Sequence, residues 1–341
     1  MIQGIISVCC AAIRVHAQIQ SRNLTVCVRD EWRKRRNVIF DNERERQKAD
    51  VGRIEKISVK YIKPSGEEEV NMMMNKDLST PTDCALHDSE FAMKTGALSL
   101  VDGIPWDMHK PLSNDCKLEV LTMQMIKKSS SLNFAFWRTC SLILGATIDS
   151  SFKDDIILYL HSFTWPNVRS GSFLCDAIID VNNWKPTEAE LRALSAQFVK
   201  FTRQSLPVER LVVKEEIALD MYQENPFKSQ QIPNIAKSQE GNVTLYRIGE
   251  HIDISRGPMV GHTGIVGKAT ITAVHKLESE EENRYRFQGI ALPSGVFLNH
   301  FAYGILEERA RQLNKTTWMP QKQFEDTDES ANTVVAQIAQ N

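Results

Sequence analysis

Histidine and cysteine are the side chains of this sequence best suited to bind a metal ion or to act as a nucleophile. The chain of 341 residues contains eight histidines and seven cysteines. No two cysteines have the spacing CxxC, and no two histidines have the spacing HxxxH or HExxH that places two imidazoles on one helix face around a metal. The odd number of cysteines fits a reducing compartment better than a disulfide framework. The sequence therefore predicts neither a metal site nor a cofactor.

Three smaller features could still carry chemistry. Cys140 lies in an apolar segment, where a cysteine most often serves as packing material. His251 and Asp253 flank Ile252 in a strand-like segment, so both can face one side, although such a pair is more often a surface feature. His262 lies in a glycine-rich turn and is expected to be solvated.

The glycine-rich string GHTGIVGKA, residues 261–269, invites a phosphate-loop interpretation that fails in detail. Five residues rather than four separate Gly261 from Gly267, and Ala269 stands where a Ser or Thr would bind Mg²⁺. Because strand-like segments precede and follow it, the string predicts a turn between antiparallel strands. The acidic run ESEEE, residues 278–282, lacks the Gly and Asn of a calcium loop and predicts a solvated hairpin turn.

The first fifty residues are more basic than the rest. Residues 1–29 contain three arginines and no acidic residue, a bias typical of a mitochondrial transit peptide. A secretory signal would place its positive charge before the apolar run, whereas the first arginine here follows it. The sequence thus predicts import into the mitochondrial matrix, with an untargeted N-terminal strand or helix as the alternative.

Residues 30–53 predict a basic helical arm, in which DEWRKRRNVIFDNERERQKAD covers residues 30–50. Two interpretations stay open: a solvated helix whose charges are compensated by glutamates, and a contact with the RNA backbone. Trp32 could stack on a base or pack on a neighbouring protein, and packing is the commoner role. The candidates for RNA binding are Arg33, Lys34, Arg35, Arg36, Arg44 and Arg46.

Composition defines the class of protein that must position these residues. With 42% hydrophobic and 25% charged residues, the chain is typical of an ordinary globular protein. No segment reaches the roughly 18 apolar residues of a membrane span, and the length predicts about two domains. The net charge of −2 argues against a protein that binds polyanions over its whole surface.

The first block, residues 54–123, predicts a β-grasp module. IEKISVKYI alternates apolar and polar residues, Pro64–Gly66 predicts a turn, and EVNMMMN continues as the second strand of a hairpin. TPTDCALHDSEFAMKTG predicts a helix with Thr82 as its N-cap and Gly96 as its stop. ALSLVDGIPWDMHKPL and KLEVLTM supply the returning strands.

The second block, residues 132–299, mixes helices and strands. LNFAFWRTCSLILGATI is apolar on nearly every face and predicts a buried helix. KPTEAELRALSAQFVKFTRQ predicts a helix with Thr187 and Glu190 in a capping box. Helical KEEIALDMYQEN and five strand-like segments follow the same rules. A C-terminal helix over residues 300–318 and a mobile tail over 319–341 complete the chain.

Several strings resemble two domains of threonyl-tRNA synthetase. Residues 54–123 resemble its N-terminal TGS module and residues 132–299 its editing domain, most specifically in LPVERLVVKEEIALDMYQ, VTLYRIGEHIDISRGPMV and RYRFQGIAL. Other strings, such as MNKDLSTPTDCALHDSEF, LVDGIPWDMHKPL and WRTCSLILG, resemble a family of mitochondrial large-ribosomal-subunit proteins that is itself similar to those two domains. The resemblance implies an α+β fold, a β-grasp TGS-like domain followed by a degenerate editing-like α+β domain.

The resemblance also implies a test of catalysis. The editing domain hydrolyses misacylated tRNA with an HxxxH pair on a helix and with the Cys and His of a later CRGPH string. Here Trp137 and Ser141 occupy the two helical positions, Ser255 stands for the Cys, and Met259 stands for the His. None of these four side chains supplies a metal ligand pair or a strong base.

The predicted function is therefore structural and non-enzymatic. The chain is expected to be a large-subunit component of the mitochondrial ribosome that contacts rRNA and neighbouring ribosomal proteins, with no membrane span and no small-molecule substrate. Two alternatives are a freestanding hydrolase that edits mischarged tRNA and an RNA-binding regulator of the TGS type that acts outside the ribosome.

Overall fold

The structure is a computed structural model that describes residues 29–63, 68–126, 129–153, 156–162, 170–181, 184–278 and 283–315. These residues form eight α-helices and twelve strands in three sheets, which confirms the predicted α+β class. None of the described helices is long and apolar enough to cross a membrane. Four predicted segments lie outside the described residues. They are the transit peptide except for residue 29, the turn at 64–66, most of the acidic turn at 278–282, and the tail.

Helix α1, residues 29–50, precedes a five-stranded sheet. The elements of this part are β1 (Lys56–Ile62), β2 (Glu69–Asn75), α2 (Pro81–Asp88), α3 (Glu90–Thr95), β3 (Gly96–Val101), β4 (Ile104–Trp106) and β5 (Cys116–Thr122). The strand order is β2-β1-β5-β3-β4, with β1 parallel to β5 and the other pairs antiparallel. The period-two pattern of β1 places Ile57, Val59 and Tyr61 in one core with Cys84 and Leu118.

The helical stretch after β2 differs from its prediction. Its N-cap is Thr80 rather than Thr82, because Thr80 and Asp83 form a capping box and Pro81 occupies the first helical position. The predicted single helix is two short helices, since Ser89 has an extended backbone and caps the second one through the amide of Ala92.

The remaining elements build two further sheets. They are α4 (Ser130–Ser151), β6 (Leu158–Ser162), β7 (Phe173–Ile179), α5 (Glu188–Arg203), β8 (Glu209–Lys214), α6 (Glu215–Met221), α7 (Pro226–Ser238), β9 (Asn242–Ile248), β10 (His251–Ile254), β11 (Val266–Lys276), β12 (Arg284–Pro293) and α8 (His300–Arg311). One antiparallel sheet has the order β11-β12-β7-β6, and the other has the order β10-β9-β8.

Helix α4 lies at the centre of the largest core. It is buried around most of its circumference, as its all-round hydrophobicity predicts, and it contacts α5, β7 and β10. The capping box of Thr187 and Glu190 at the start of α5 is confirmed. Helix α8 covers β11 and β12 with Tyr303, Leu306 and Ala310.

The sheet β10-β9-β8 is covered by α6, α7 and the basic helix α1. Phe40 of α1 is fully buried among Leu211, Tyr222 and Leu245. An arm that inserts an aromatic side chain into this core is part of the folded body rather than an extension from it.

The sequence predicts that the glycine-rich string is a turn between antiparallel strands, and this prediction is wrong because the strands on either side belong to different sheets. The string leads from β10 in one sheet to β11 in the other through a single turn of 3₁₀-helix at Thr263–Ile265. The expectation of a solvated His262 is also wrong, because this side chain is half-buried and its Nε2 lies 2.9 Å from the carbonyl oxygen of Lys94.

Candidate functional site

The positions that correspond to the editing residues lie in α4 and in the turn that follows β10. The turn is attached to α4 by Thr139, whose Oγ1 accepts a hydrogen bond from the amide of Val260 at 3.0 Å, and by Arg138, which donates to the carbonyl oxygen of Pro258. The two segments are thus held together by residues other than those at the editing positions.

The four side chains at the editing positions act as packing material. The Trp137 ring packs edge-on against Phe173, with ring centroids 6.1 Å apart. Ser141 and Ser255 are buried, and Met259 is 1% exposed within the main core. An indole, two hydroxyls and a thioether in such surroundings offer neither a proton acceptor matched to neutral pH nor a metal ligand set. Among the described residues, no group of three or more His, Cys, Asp or Glu side chains could hold a metal ion.

Gly257 of this turn is required by packing and by its backbone. Its φ is +68°, a conformation that favours glycine. A Cβ at this position would lie 1.8 Å from Tyr246 Oη, so any side chain would displace the tyrosine. The part of the editing string that survives in this chain therefore keeps the turn against the core.

The turn also contacts the first sheet, through the buried carboxylate of Asp107. Tyr246 Oη donates to both carboxylate oxygens at 3.0 Å, and the amide of Met259 donates to Oδ1 at 2.8 Å. Arg210 Nε lies 3.3 Å from Oδ2. Burial raises the pKa of Asp107, and the positive charge of Arg210 opposes this rise. The sequence does not indicate that Asp107, Arg210 and Tyr246 form a group, because they are far apart along the chain and belong to no common motif.

A second set of contacts joins the same two parts of the chain. Gly261 donates its amide to the carbonyl oxygen of Ala97 at 2.9 Å, and its own carbonyl oxygen lies 2.8 Å from His109 Nε2. The contact between His262 and the carbonyl oxygen of Lys94 adds a third link between the turn and the first domain. Residues 257–262, which include Met259 at one of the four editing positions, thus form a junction between the first sheet and the rest of the molecule.

The cysteine and histidine candidates are buried. Cys140 is fully inaccessible and burial raises the pKa of its thiol, which makes it a poor nucleophile. His251 and Asp253 are 5% and 1% exposed, so the expectation of a surface pair is wrong. The neighbouring helices α1, α4 and α7 cover this face of β10.

His251 and Asp253 belong to a buried polar cluster. Asp253 accepts a hydrogen bond from Lys228, whose pKa is lowered to about 7 by burial. His251 Nδ1 lies 3.6 Å from Asp149 Oδ2, and burial lowers the pKa of the imidazole. The cavity between Arg36, Asp149 and Lys228 measures about 20 Å³, which is room for one water molecule and not for an ester substrate.

Each of the six predicted RNA-binding cations forms an ion pair with a carboxylate of the same chain. Arg33 Nε lies 3.4 Å from Asp149, and Arg36 Nε lies 3.0 Å from Glu224. These two arginine side chains are less than one-fifth exposed, so their main contacts are inside the molecule.

The other four cations lie further out. Arg35 pairs with Asp220, and Arg44 lies 2.6 Å from Glu209. The most exposed are Lys34 and Arg46, with 74% and 57% of the side chain accessible, and their partners come from α1 itself. Trp32 of the same helix stacks on Tyr159, at 6.3 Å between ring centroids.

Comparison with known proteins gives a match over most of the chain. The sequence is 46% identical over 295 residues to the large ribosomal subunit protein mL39 of Drosophila melanogaster, and the match covers 86% of the chain and 87% of that protein. The chain belongs to the mL39 family. The predicted resemblance to a family of mitochondrial large-subunit proteins is thereby confirmed. No protein-family model matches the chain.

The chain of this mL39-family member is also similar to threonine–tRNA ligases. It is 31% identical over 190 residues to the enzyme of Thermotoga maritima, which covers 55% of the chain and 27% of the ligase. It is 26% identical over 251 residues to the mitochondrial ligase 1 of Arabidopsis thaliana, which covers 72% of the chain and 33% of that ligase. The chain thus spans about a quarter to a third of the ligases it matches.

Proposed function

We propose that the chain is a structural constituent of the large subunit of the mitochondrial ribosome and acts in the mitochondrial matrix without catalysis. The observation that carries this proposal is the 46% identity to mL39 over nearly the full length of both chains. The proposal is supported by the packed side chains at Trp137, Ser141, Ser255 and Met259, which leave no acid, base or metal ligand at the editing positions.

We further propose that residues 54–123 form a TGS-like β-grasp domain and residues 132–299 an editing-like domain. Support comes from the mixed sheet β2-β1-β5-β3-β4, in which the first and last long strands are parallel neighbours and the helices α2 and α3 lie between the hairpin and β3. The similarity to threonine–tRNA ligases over 55–72% of the chain also supports this proposal.

In this proposal the editing-like domain has a mechanical role. Asp107, Tyr246 and the turn at 257–262 fix the first sheet against the second part of the chain. A fixed arrangement of two domains suits a component that must contact several neighbours at once, because each contact then needs no further ordering of the chain.

Contact with rRNA is proposed for the exposed cations of α1. Surface ion pairs contribute little to stability, so Lys34 can exchange Asp30 for phosphate oxygens. The side chain of Arg46 is 57% exposed, so it can approach a phosphate while it stays bound to the buried carboxylate of Glu43. Arg33 and Arg36 are themselves largely buried beside Asp149 and Glu224, and their loss would act on folding. Arg35 and Arg44 are intermediate in exposure.

The proposal is tested by sedimentation of mitochondrial ribosomes from cells that carry an epitope-tagged chain. We expect the tagged chain to migrate with the purified large subunit and to remain there at high salt. Large subunits that lack the chain would overturn the proposal. Migration in free fractions would favour the extra-ribosomal regulator.

The hydrolase alternative has its own assay. We expect the purified chain to deacylate threonine tRNA that is mischarged with serine no faster than the uncatalysed reaction. None of the four editing positions carries a side chain that can act as a general base. Deacylation that is lost in Cys140→Ala or His251→Ala would contradict the non-enzymatic proposal. Exposed His87→Ala serves as the matched control for His251→Ala.

A further inference from the structure

Arg29, the first described residue of the chain, is buried against the end of a distant helix. Only 5% of its surface is accessible. Its Nη2 donates hydrogen bonds to the carbonyl oxygen and to the carboxylate of Asp149, at 2.6 and 3.2 Å, and its Nη1 donates to the carbonyl oxygen of Lys153 at 3.2 Å. One guanidinium thus joins the start of α1 to a segment that lies more than 100 residues away along the chain.

The acceptors of Arg29 lie at the C-terminal end of α4, where a cation has a specific use. The last carbonyl oxygens of a helix have no partner within the helix and carry a partial negative charge. The last turn of α4 contains no basic residue, and it contains Asp149, whose negative charge is unfavourable at this end. Arg29 therefore supplies donors and a positive charge that α4 itself lacks.

The packed face of α1 begins at the same residue. The side chains of α1 that face the body of the chain recur every three or four residues, which is the spacing of one helix face. They are Arg29, Arg33, Arg36 and Phe40. A chain without Arg29 would lose the first contact of this face and leave the largely buried carboxylate of Asp149 with fewer donors.

These contacts limit where a transit peptide can end. The predicted transit peptide, residues 1–29, contains Arg14, Arg22 and Arg29 as its cations. Because Arg29 belongs to the folded body, the segment that is removed on import must end before it. Arg22 sets the other limit, since a transit peptide is rich in arginine and a cut before Arg22 would leave the removed peptide with Arg14 alone.

We propose that the chain is processed by hydrolysis of one peptide bond between Arg22 and Arg29, so that Arg29 stays in the mature protein as the residue that fixes α1 to the end of α4. In this step water is added across the bond, the removed peptide gains a carboxylate, and the mature chain gains an α-amino group. The inference rests on the proposed function, because import into the matrix supplies the processing protease.

The position of the cut is tested by chemical labelling of the mature N-terminus. The full-length chain with a C-terminal epitope tag is expressed in cells, captured from their mitochondria through the tag, labelled at its free α-amino group and analysed by mass spectrometry. We expect the first residue to lie between Asn23 and Arg29, both included. A first residue at Asp30 or later, a cut before Arg22, or an unprocessed chain would overturn the proposal.

The same experiment distinguishes this proposal from the proposed function, because capture through the tag does not depend on the ribosome. A chain that begins within residues 23–29 but is absent from purified large subunits would refute the ribosomal function alone. A chain that is present in large subunits but begins at Asp30 or later would refute the processing site alone.

Two arginine variants separate the removed peptide from the folded body. Full-length chains are imported into isolated mitochondria, and the appearance of the processed form is followed over time. Arg22→Ala removes one of the two cations left to the transit peptide and is expected to slow the appearance of the processed form by at least about twofold. Arg29→Ala is expected to be processed at the rate of wild type. Slower processing of Arg29→Ala, or the wild-type rate in Arg22→Ala, would contradict the assignment of these two arginines.

The role of Arg29 in the mature protein is tested by thermal unfolding of the purified processed chain. Arg29→Ala is expected to lower the melting temperature by at least about 3 °C, because the end of α4 loses its donors. Arg29→Lys keeps the charge but not the planar fork that reaches several acceptors, so it is expected to restore only part of the loss. The matched control is Lys34→Ala on the same helix, whose side chain is 74% exposed and whose loss is expected to leave the melting temperature close to wild type. Equal melting temperatures of Arg29→Ala and wild type would overturn the need to keep Arg29.

Discussion

At the scale of single residues, Asp107 is the most connected side chain of the junction between the first sheet and the turn at 257–262. It is 7% exposed, and it accepts hydrogen bonds from Tyr246 and Met259 while facing Arg210. No local sequence pattern indicates this group, because the partners of Asp107 lie more than 100 residues away along the chain and their distances depend on the packing of two sheets.

Replacement of Asp107 by Ala is expected to lower the free energy of unfolding by about 2–4 kcal/mol, since it leaves a buried hydroxyl, an amide and a guanidinium without their acceptor. Denaturant unfolding of the purified chain measures the change. Tyr246→Phe removes one donor only and is expected to cost about 1 kcal/mol. Equal stability of Asp107→Ala and wild type would mean that the junction does not contribute to folding.

The buried imidazole of His251 makes the stability of the chain depend on pH. Burial lowers its pKa in the folded chain from the usual value of 6.5, so below about pH 6.5 the unfolded chain binds more protons than the folded chain. The free energy of unfolding therefore decreases as the pH falls through this range, by at most about 1.4 kcal/mol per pH unit. His251→Asn is expected to flatten this slope between pH 7 and 5. Exposed His87→Asn should leave the slope as in wild type, and a steeper slope in His251→Asn would show the opposite linkage.

At the scale of elements, local sequence signals identify the helices and strands whose own residues determine them. The all-round apolar pattern gives α4, the capping box of Thr187 and Glu190 gives the start of α5, and alternation gives β1 and β2. Helix α7 is not predicted, because Pro233 lies inside it and its sequence is polar. Its burial against β9 stabilises it instead, and such a tertiary contact leaves no periodic signal.

Substitutions of Gly304 and Gly257 by Ala separate the effect of helix propensity from the effect of the surrounding packing. Gly304→Ala is expected to raise the free energy of unfolding by about 0.5–1 kcal/mol, because α8 gains a better helix former and the new Cβ meets nothing. Gly257→Ala is expected to destabilise the chain, because its φ is positive and its Cβ would overlap Tyr246. Thermal unfolding of both variants provides the comparison. A destabilised Gly304→Ala would indicate a contact of α8 within the chain.

At the scale of the whole molecule, a net charge of −2 conceals an internal separation of charge. Four of the α1 cations are compensated by carboxylates from later parts of the chain: Asp149, Asp220, Glu209 and Glu224. Composition and the charge run of residues 30–50 indicate the basic helix. They cannot indicate these partners, which lie more than 100 residues away, and so the sequence leaves a solvated helix and an RNA contact equally open.

Two double variants of α1 separate the internal cations from the exposed ones. Lys34→Ala with Arg46→Ala removes the two most accessible charges. We expect it to lower the melting temperature less than the loss of Arg33 and Arg36, because Gln47 still donates a hydrogen bond to the buried Glu43 after Arg46 is removed. If both contact phosphates, the slope of log K against log salt concentration for release from the large subunit decreases by about 2. Arg33→Ala with Arg36→Ala leaves Glu224 without its ion-pair partner and Asp149 with Arg29 as its remaining arginine, and it is expected to lower the free energy of unfolding by about 2 kcal/mol. An unchanged salt slope in the first variant would exclude these two side chains as RNA contacts, and the protein contacts of the subunit would then have to hold the chain.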